Sequence, residues 1–216
     1  MDVNERRQFI ADQVSSRGEI EFSSLAELLG LSGMTIRRDV EILEGQGLLR
    51  RVVGGAISVK GTSAEPPFAS RASAAAEEKE HIADAVVDLL TPGETVLLDS
   101  GSTVLSVARA IRKREIGLTV ITPSALAGLE LSDAPGVTVF LIGGLLRPSE
   151  LSLIGPDTIE AISRFNCDTF VMGVAGIDSR GGVSDYHYEE AHVKAAGIKS
   201  ATRVIVAADQ TKLGRT

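Results

Sequence analysis

Along the first fifty positions the apolar residues recur at helical spacing. In "NERRQFIADQVSSRG", Phe9, Ile10 and Val14 share one side of a helix, and Gly18 stands where a left-handed C′ residue closes it. "IEFSSLAELLGLSGMTIRRDVEILEGQG" predicts two more helices. Ser24-Leu25-Ala26-Glu27 has the spacing of a capping box that starts the first, with Leu25, Leu28 and Leu29 inward. Gly30-Leu31-Ser32 makes a tight turn, and Ser32 caps the second. There Ile36, Val40 and Leu43 repeat at i, i+4, i+7 and mark the buried side. At about 100° per residue, Met34, Arg37, Arg38 and Glu41 fall opposite, with Thr35 flanking them. Past Gly45 and Gly47, "LLRRVVGGAISV" reads as two short strands about Gly54-Gly55, with Arg50 and Arg51 on the first.

The pattern then changes. "VKGTSAEPPFASRASAAAEEKE" is rich in Ser, Ala and Pro, and Pro66-Pro67 blocks a continuous helix, so residues 59–74 are expected to be a linker between a domain at 1–58 and a second at 75–216. The helix that follows, with Ile82, Val86, Leu89 and Leu90 inward, stops at Thr91-Pro92-Gly93. Beyond it, "TVLLD", "LTVIT", "VTVFLIGG", "DTFVMG" and "RVIVAAD" are short, β-branched and almost continuously apolar, as strands buried on both faces of a parallel sheet are. The stretches between them, 103–113, 124–131, 156–164 and 188–201, have helix length and composition. Alternating strand and helix predicts an open α/β sheet.

Charge sharpens the reading of the N-terminal part. The formal net charge is −7, divided as −1 for residues 1–60 and −6 for the remainder, so no generally basic surface is present. Four of the eight basic residues in the first sixty nevertheless fall in the pairs 37–38 and 50–51. A short helix, a Gly-containing turn, a second helix with a polar N-terminal half and a hairpin are the parts of a winged helix-turn-helix. In that arrangement Ser32, Met34, Thr35, Arg37 and Arg38 face the major groove, and Arg50 and Arg51 the phosphates beside it. An arginine pair on a solvated helix face, with Arg37 paired to Glu41, is the plainer alternative. The amphipathic, charged N-terminus is no signal peptide, and no apolar run is long enough to span a bilayer, which points to the cytoplasm. The single cysteine, Cys167, is expected to be a buried thiol, and His81, His187 and His192 lack metal-ligand spacing, so no metal site is expected.

Ligands of open α/β sheets bind outside the carboxyl ends of the strands. The residues there are Asp99-Ser100-Gly101-Ser102-Thr103, Thr122-Pro123-Ser124, Gly143-Gly144, Gly173 to Gly176 and Asp209 to Lys212. "DSGST" before a helix places backbone N–H groups and hydroxyls at a positive helix end, which suits a phosphate. Lys194 and Lys212 supply positive charge, and Asp99, Asp178 and Asp185 are suited to accept sugar hydroxyls.

"TIRRDVEILEGQGLLRRVVGGA" resembles the signature of the DeoR family of bacterial transcriptional regulators, through Thr35, Ile36, Arg37, Arg38, Asp39, Leu43, Glu44, Gly47, Arg51, Gly54, Gly55 and Ala56. Val53 stands where that signature has histidine, and Gly33-Met34 are unusual at the helix start. The second half is similar to the family's effector domain, whose fold is like that of ribose-5-phosphate isomerase and coenzyme-A transferases. The matching residues are the "DSGST" loop, then Gly143, Gly144, Arg147, Ser152 and Gly155, then Gly176-Ile177-Asp178, and finally Asp209, Lys212, Gly214 and Arg215. Thr122-Pro123-Ser124 departs from a usual Thr-Asn-Ser. The resemblance implies some tens of further residues and one more strand beyond residue 216, leaving a sheet edge unpaired. It also implies a repressor of a carbohydrate operon, binding operator DNA as a homodimer or tetramer and modulated by a phosphorylated sugar, with no cofactor. The rival is a sugar-phosphate isomerase with a DNA-binding appendage, Glu189 or Glu190 as base and Lys212 as electrophile. A third reading, a protein-interaction module, differs in salt dependence.

Overall fold

The computed structural model describes residues 2–17, 19–46, 48–58, 65 and 68–214. Gly18, Gly47, Lys60, Pro66-Pro67, Arg215 and residues 59–64 of the expected linker lie outside the described residues. The chain divides into two compact units, Met1–Pro66 and Pro67–Thr216.

The first unit orders α1 (Val3–Arg17), β1 (Glu19–Glu21), α2 (Phe22–Leu29), α3 (Gly33–Gly45), β2 (Arg50–Val52) and β3 (Gly55–Ile57). Its core is built from the predicted periodic positions, Ile10, Val14, Leu25, Ile36, Val40 and Leu43, joined by Ile20, Leu49 and Ala56. The hairpin β2–β3 is present, and β1, which the sequence pattern did not announce, pairs antiparallel with the other edge of β3. That pairing moves the start of α2. Because β1 runs straight into the helix, α2 begins at Phe22 rather than at a Ser24 capping box, and its N-cap, Glu21, makes no side-chain cap. The Phe22 N–H instead donates to the Gly54 carbonyl of the wing, at 2.9 Å. In the shifted helix Leu25 is buried and Leu29 packs beside it, but Leu28 is exposed. Gly55 has to be glycine, since a Cβ there would stand 2.5 Å from the Ile20 carbonyl oxygen.

The second unit begins with α4 (Phe68–Ser73), inside the span expected to be linker, and α5 (Ala76–Asp88). Leu89 is exposed, contrary to expectation, because it is the C-cap of α5, while Val86, Val87 and Leu90 are buried. The five predicted strands are β4 (Thr95–Leu98), β5 (Thr119–Thr122), β6 (Thr138–Leu141), β9 (Cys167–Gly173) and β12 (Ala201–Ala207). They form one sheet, every pair parallel, in the order β12-β9-β4-β5-β6. Helices α6 (Ser102–Arg114), α7 (Ala125–Leu131), α8 (Pro156–Ser163) and α9 (Tyr188–Ser200) match the predicted intervals.

Strand alternation sorts the core onto two faces. Val96, Leu98, Val120 and Val171 pack with α5, α6 and α7. Leu97, Ile121, Phe170 and Met172 pack with α8 and α9. Burial on both faces holds for β4, β5 and β9 but not for the edge strands β6 and β12, where Phe140, Leu141, Val204 and Val206 are exposed. Two hairpins had no strand-like signal: β7–β8 (Leu145–Arg147, Ser152–Ile154) and β10–β11 (Gly176–Asp178, Gly182–Ser184). Their three-residue strands are too short to show a period. Among the described residues no helix is long and apolar enough to cross a membrane. Cys167 is a free, buried thiol, pushed up to about 11 by burial and by Asp168 beside it.

Helix α9 lies close against the sheet at Gly197, where a Cβ would come within 2.8 Å of both Leu97 and Phe170. Gly→Ala inside a helix ordinarily gains about 1 kcal/mol, but overpacking a rigid core costs about 1–3 kcal/mol. Gly197→Ala is therefore expected to be neutral to destabilising, by up to about 2 kcal/mol, in urea unfolding, where helix propensity alone would make it stabilising.

Candidate functional site

In the first unit the candidate reading face is the exposed side of α3. The Ser32 hydroxyl accepts the Thr35 N–H at 3.2 Å and caps the helix as expected. Met34, Arg37 and Arg38 are exposed and Thr35 is half-buried. Among the described residues neither Arg37 nor Arg38 forms an ion pair, so the expected alternative of an Arg37–Glu41 pair is not formed. Arg37 rests over the Phe22 ring, 5.9 Å from its centre, which orients the side chain without neutralising it. On the inner side Asp39 is buried and takes Arg6 Nε at 2.6 Å and Arg7 Nε at 2.9 Å. Burial pushes the Asp39 carboxyl up, but the two guanidinium groups outweigh it and hold it below the ordinary carboxylate value. This bridge from α1 sets the rotation of α3. The wing arginines separate: Arg50 is exposed and without an acid partner among the described residues, whereas Arg51 is bound through Nε to Glu44 at 2.6 Å and approaches Glu41 at 3.7 Å.

In the second unit the parallel sheet brings its carboxyl ends to one edge. Asp99, following the central strand β4, is buried and is paired with Lys194 of α9, and its Oδ2 accepts the Gly173 N–H from β9 at 3.0 Å. Lys194 also meets Asp185 at 3.2 Å. Burial alone pulls the Lys194 ammonium down, yet Asp99 and Asp185 reverse that and carry it to about 12. For Asp99, burial pushes the carboxyl up and Lys194 opposes it. Beside this pair, the β4–α6 turn and the first turn of α6 present Ser100, Ser102 and Thr103, each at least nine-tenths buried. Among the described residues their hydroxyls have no hydrogen-bond partner.

Other predicted positions are committed to framework contacts. The Thr122 hydroxyl accepts the Ser124 N–H at 3.0 Å, and Ser124 caps α7. Gly144 faces the Thr158 hydroxyl where a Cβ would lie 1.9 Å away, so it is required for packing, while Gly143 is exposed and lends its carbonyl to Thr158. Gly176 is in register with Ser184, and one Asp178 oxygen binds the N–H groups of Arg180 and Gly181 in that hairpin's turn. Asp209 holds the 3-10 turn Gln210–Lys212 through the Thr211 N–H at 2.8 Å. Arg147 pairs with Glu190 at 3.0 Å, on the same Oε1 that accepts the Ser152 hydroxyl at 2.6 Å. Glu190 is thus engaged in an ion pair, and Glu189 is exposed. Sequence reasoning missed Arg71, Glu150 and Lys79. Arg71 of α4 pairs with buried Glu150, and the buried Lys79 ammonium donates to the Arg71 and Ala74 carbonyls. Their only signal was charge: Arg71 and Glu150 stand in stretches that read as linker and loop, and Lys79 in the helix expected after the linker.

Replacing Lys194 by Met strands the Asp99 carboxylate in the interior, at a cost of about 3–5 kcal/mol in unfolding of the second unit. The double change Asp99→Asn with Lys194→Met recovers much of that loss. Because Lys194 is raised above its ordinary 10.5, its stabilisation is complete below pH 10.5 and is lost as pH rises toward about 12. Urea unfolding of both variants at neutral and alkaline pH checks both statements.

Residues 6–62 match the DeoR-like helix-turn-helix domain, and residues 74–216 the DeoR C terminal sensor domain. The chain is 32% identical to the glycerol-3-phosphate regulon repressor of Escherichia coli K12, over all of this chain and 84% of that protein. It is 34% identical to the transcriptional repressor GlcR of Bacillus subtilis, over all of this chain and 83% of that protein. It is 35% identical to the transcriptional regulator GlpR of Haloferax volcanii, over 98% of this chain and 82% of that protein. Among solved structures, ribose 5-phosphate isomerase A of Methanocaldococcus jannaschii aligns with 64% of this chain and 54% of its own, at 16% identity and TM-score 0.47, a likeness too remote to bear on function. A chain whose halves fit both domains in this order, and which spans four-fifths of regulators about one-third identical to it, belongs to the DeoR family of transcriptional regulators.

Proposed function

We propose that this protein represses a carbohydrate-linked operon and is modulated by a phosphorylated sugar or polyol bound at the carboxyl ends of β4 and its neighbours. The carrying observation is the β4–α6 turn, where three largely buried residues, Ser100, Ser102 and Thr103, keep hydroxyls without a partner among the described residues at a positive helix end beside the Asp99–Lys194 pair. Phosphate oxygens satisfy such hydroxyls and N–H groups, and Asp185 and Asp99 lie where polyol hydroxyls are accepted. Arg37, Arg38 and Met34 read base edges, and Arg50 contacts phosphate. Two copies present their α3 helices to half-sites about one DNA turn apart. The glycerol-3-phosphate regulon repressor among the relatives makes glycerol 3-phosphate the first compound to try.

Two measurements test this. Thermal unfolding is followed against glycerol 3-phosphate, hexose phosphates and the matching unphosphorylated compounds. A ligand at about 100 times its dissociation constant adds about 2.7 kcal/mol, and Ser102→Ala should remove the shift. A shift given equally by a phosphate and its free sugar would sink the phosphate-site reading. DNA binding is followed by anisotropy on a duplex selected from a randomised pool. Arg37→Ala and Arg38→Ala each cost about 1–3 kcal/mol, and Arg50→Ala lowers the salt slope by about one unit. An unchanged affinity for either α3 variant would mean that α3 is not the reading helix.

A further inference from the structure

The Arg71 guanidinium lies where a cation is least welcome. Its Nη1 is 4.0 Å from the point a Cβ on Gly101 would occupy, and Gly101 is the N-cap of the 13-residue helix α6. A helix N-terminus carries roughly half a positive charge, which repels a guanidinium there. Glu150, at the β7–β8 turn and 4% exposed, offsets that repulsion by pairing with Arg71. Its carboxylate thus supplies the negative charge that an anion at this helix end would supply.

The segments carrying both partners are conformationally loaded. Among the described residues three that are not glycine have positive φ, and two flank this pair: Ala75 (φ 52) after α4, and Leu151 (φ 52) next to Glu150. Left-handed backbone is unfavourable for residues that carry a Cβ. Lys79 adds a further constraint by donating to the Arg71 carbonyl, which ties α4 to α5.

We propose that Arg71 is a phosphate-recognition residue of the effector site and that Glu150 is its built-in competitor. This rests on the strand-tip reading above. A phosphate at the first turn of α6 takes the guanidinium in a bidentate contact and displaces the Glu150 carboxylate. Arg71 belongs to α4, the first element of the second unit, which residues 59–67 join to the wing. Exchange of Glu150 for phosphate therefore acts on the chain segment leading to the DNA-binding unit.

The test is calorimetric titration of the full chain with inorganic phosphate and with glycerol 3-phosphate, at constant ionic strength, for the wild type, Ser102→Ala, Arg71→Ala, Arg71→Lys and Glu150→Gln. Losing a charge-assisted contact weakens binding about tenfold or more in Arg71→Ala. Arg71→Lys keeps the charge without the fork and falls between. Glu150→Gln removes the competitor at equal size and tightens binding several-fold, which a purely structural pair would not do. If Arg71→Ala fails to fold, the Glu150→Gln arm decides. Binding lost in Ser102→Ala but unchanged in the Arg71 and Glu150 variants leaves the strand-tip site standing and overturns the role of Arg71. Weaker binding in Glu150→Gln overturns it as well. No binding of either compound to the wild type overturns the strand-tip reading and this inference with it.

Discussion

A carboxylate buried at the end of the central strand of a parallel sheet is the constraint around which the second unit is arranged. Removing Asp99 from water costs several kcal/mol unless it is paired and hydrogen-bonded. Its partner, Lys194, comes from α9, 95 residues along the chain, and its backbone donor, Gly173, from the neighbouring strand. Satisfying one charge thus fixes α9 over β4 and β9, at a contact so close that Gly197 has no room for a side chain. It also fixes the loop between β4 and α6. Ser100, Ser102 and Thr103 are held where their hydroxyls find no partner among the described residues.

The DNA-binding unit uses the same device for a different end. Asp39 faces inward on α3 and collects Arg6 and Arg7, and Glu44 collects Arg51. Acid partners sort the arginines into two sets. Those bound to Asp39 and Glu44 tie α1 and the wing to α3; Arg37, Arg38 and Arg50 have no acid partner among the described residues and are the arginines proposed to meet DNA. A chain with a net charge of −7 can present a basic reading surface because what counts is which cations remain unneutralised within a Debye length of the groove.

Local periodicity revealed the parts of this fold that depend on local periodicity. The apolar spacing of α3, the five sheet strands and the helices between them were legible because each buries a face along its own length. What escaped depends on partners distant in sequence. The strand β1 exists because β3 offers it an edge, and with it goes the start of α2. The helix α4 lies in a stretch whose Ser and Ala content reads as linker, and it is held by Glu150, 79 residues away. At the strand ends the residue types were legible but their allocation was not. Asp178, Gly144 and Thr122 look as suited to a ligand as Asp99 and Ser102 do, and only the structure shows that Asp178 and Thr122 hydrogen-bond within turns and that Gly144 packs against Thr158.

That allocation bears on how a small molecule moves an equilibrium in this protein. Effectors typically supply about 1–3 kcal/mol of coupling, less than the roughly 3–5 kcal/mol needed to break a buried ion pair outright. A ligand that had to open the Arg71–Glu150 pair without replacing it would fall short. A phosphate that took the place of the Glu150 carboxylate would leave Arg71 paired and would have only to cover the difference between two anions. The proposed exchange also demands charge, because a neutral sugar would offer Arg71 no anion in place of Glu150. On that proposal, selectivity for a phosphorylated ligand and the ability to switch would have a single physical origin.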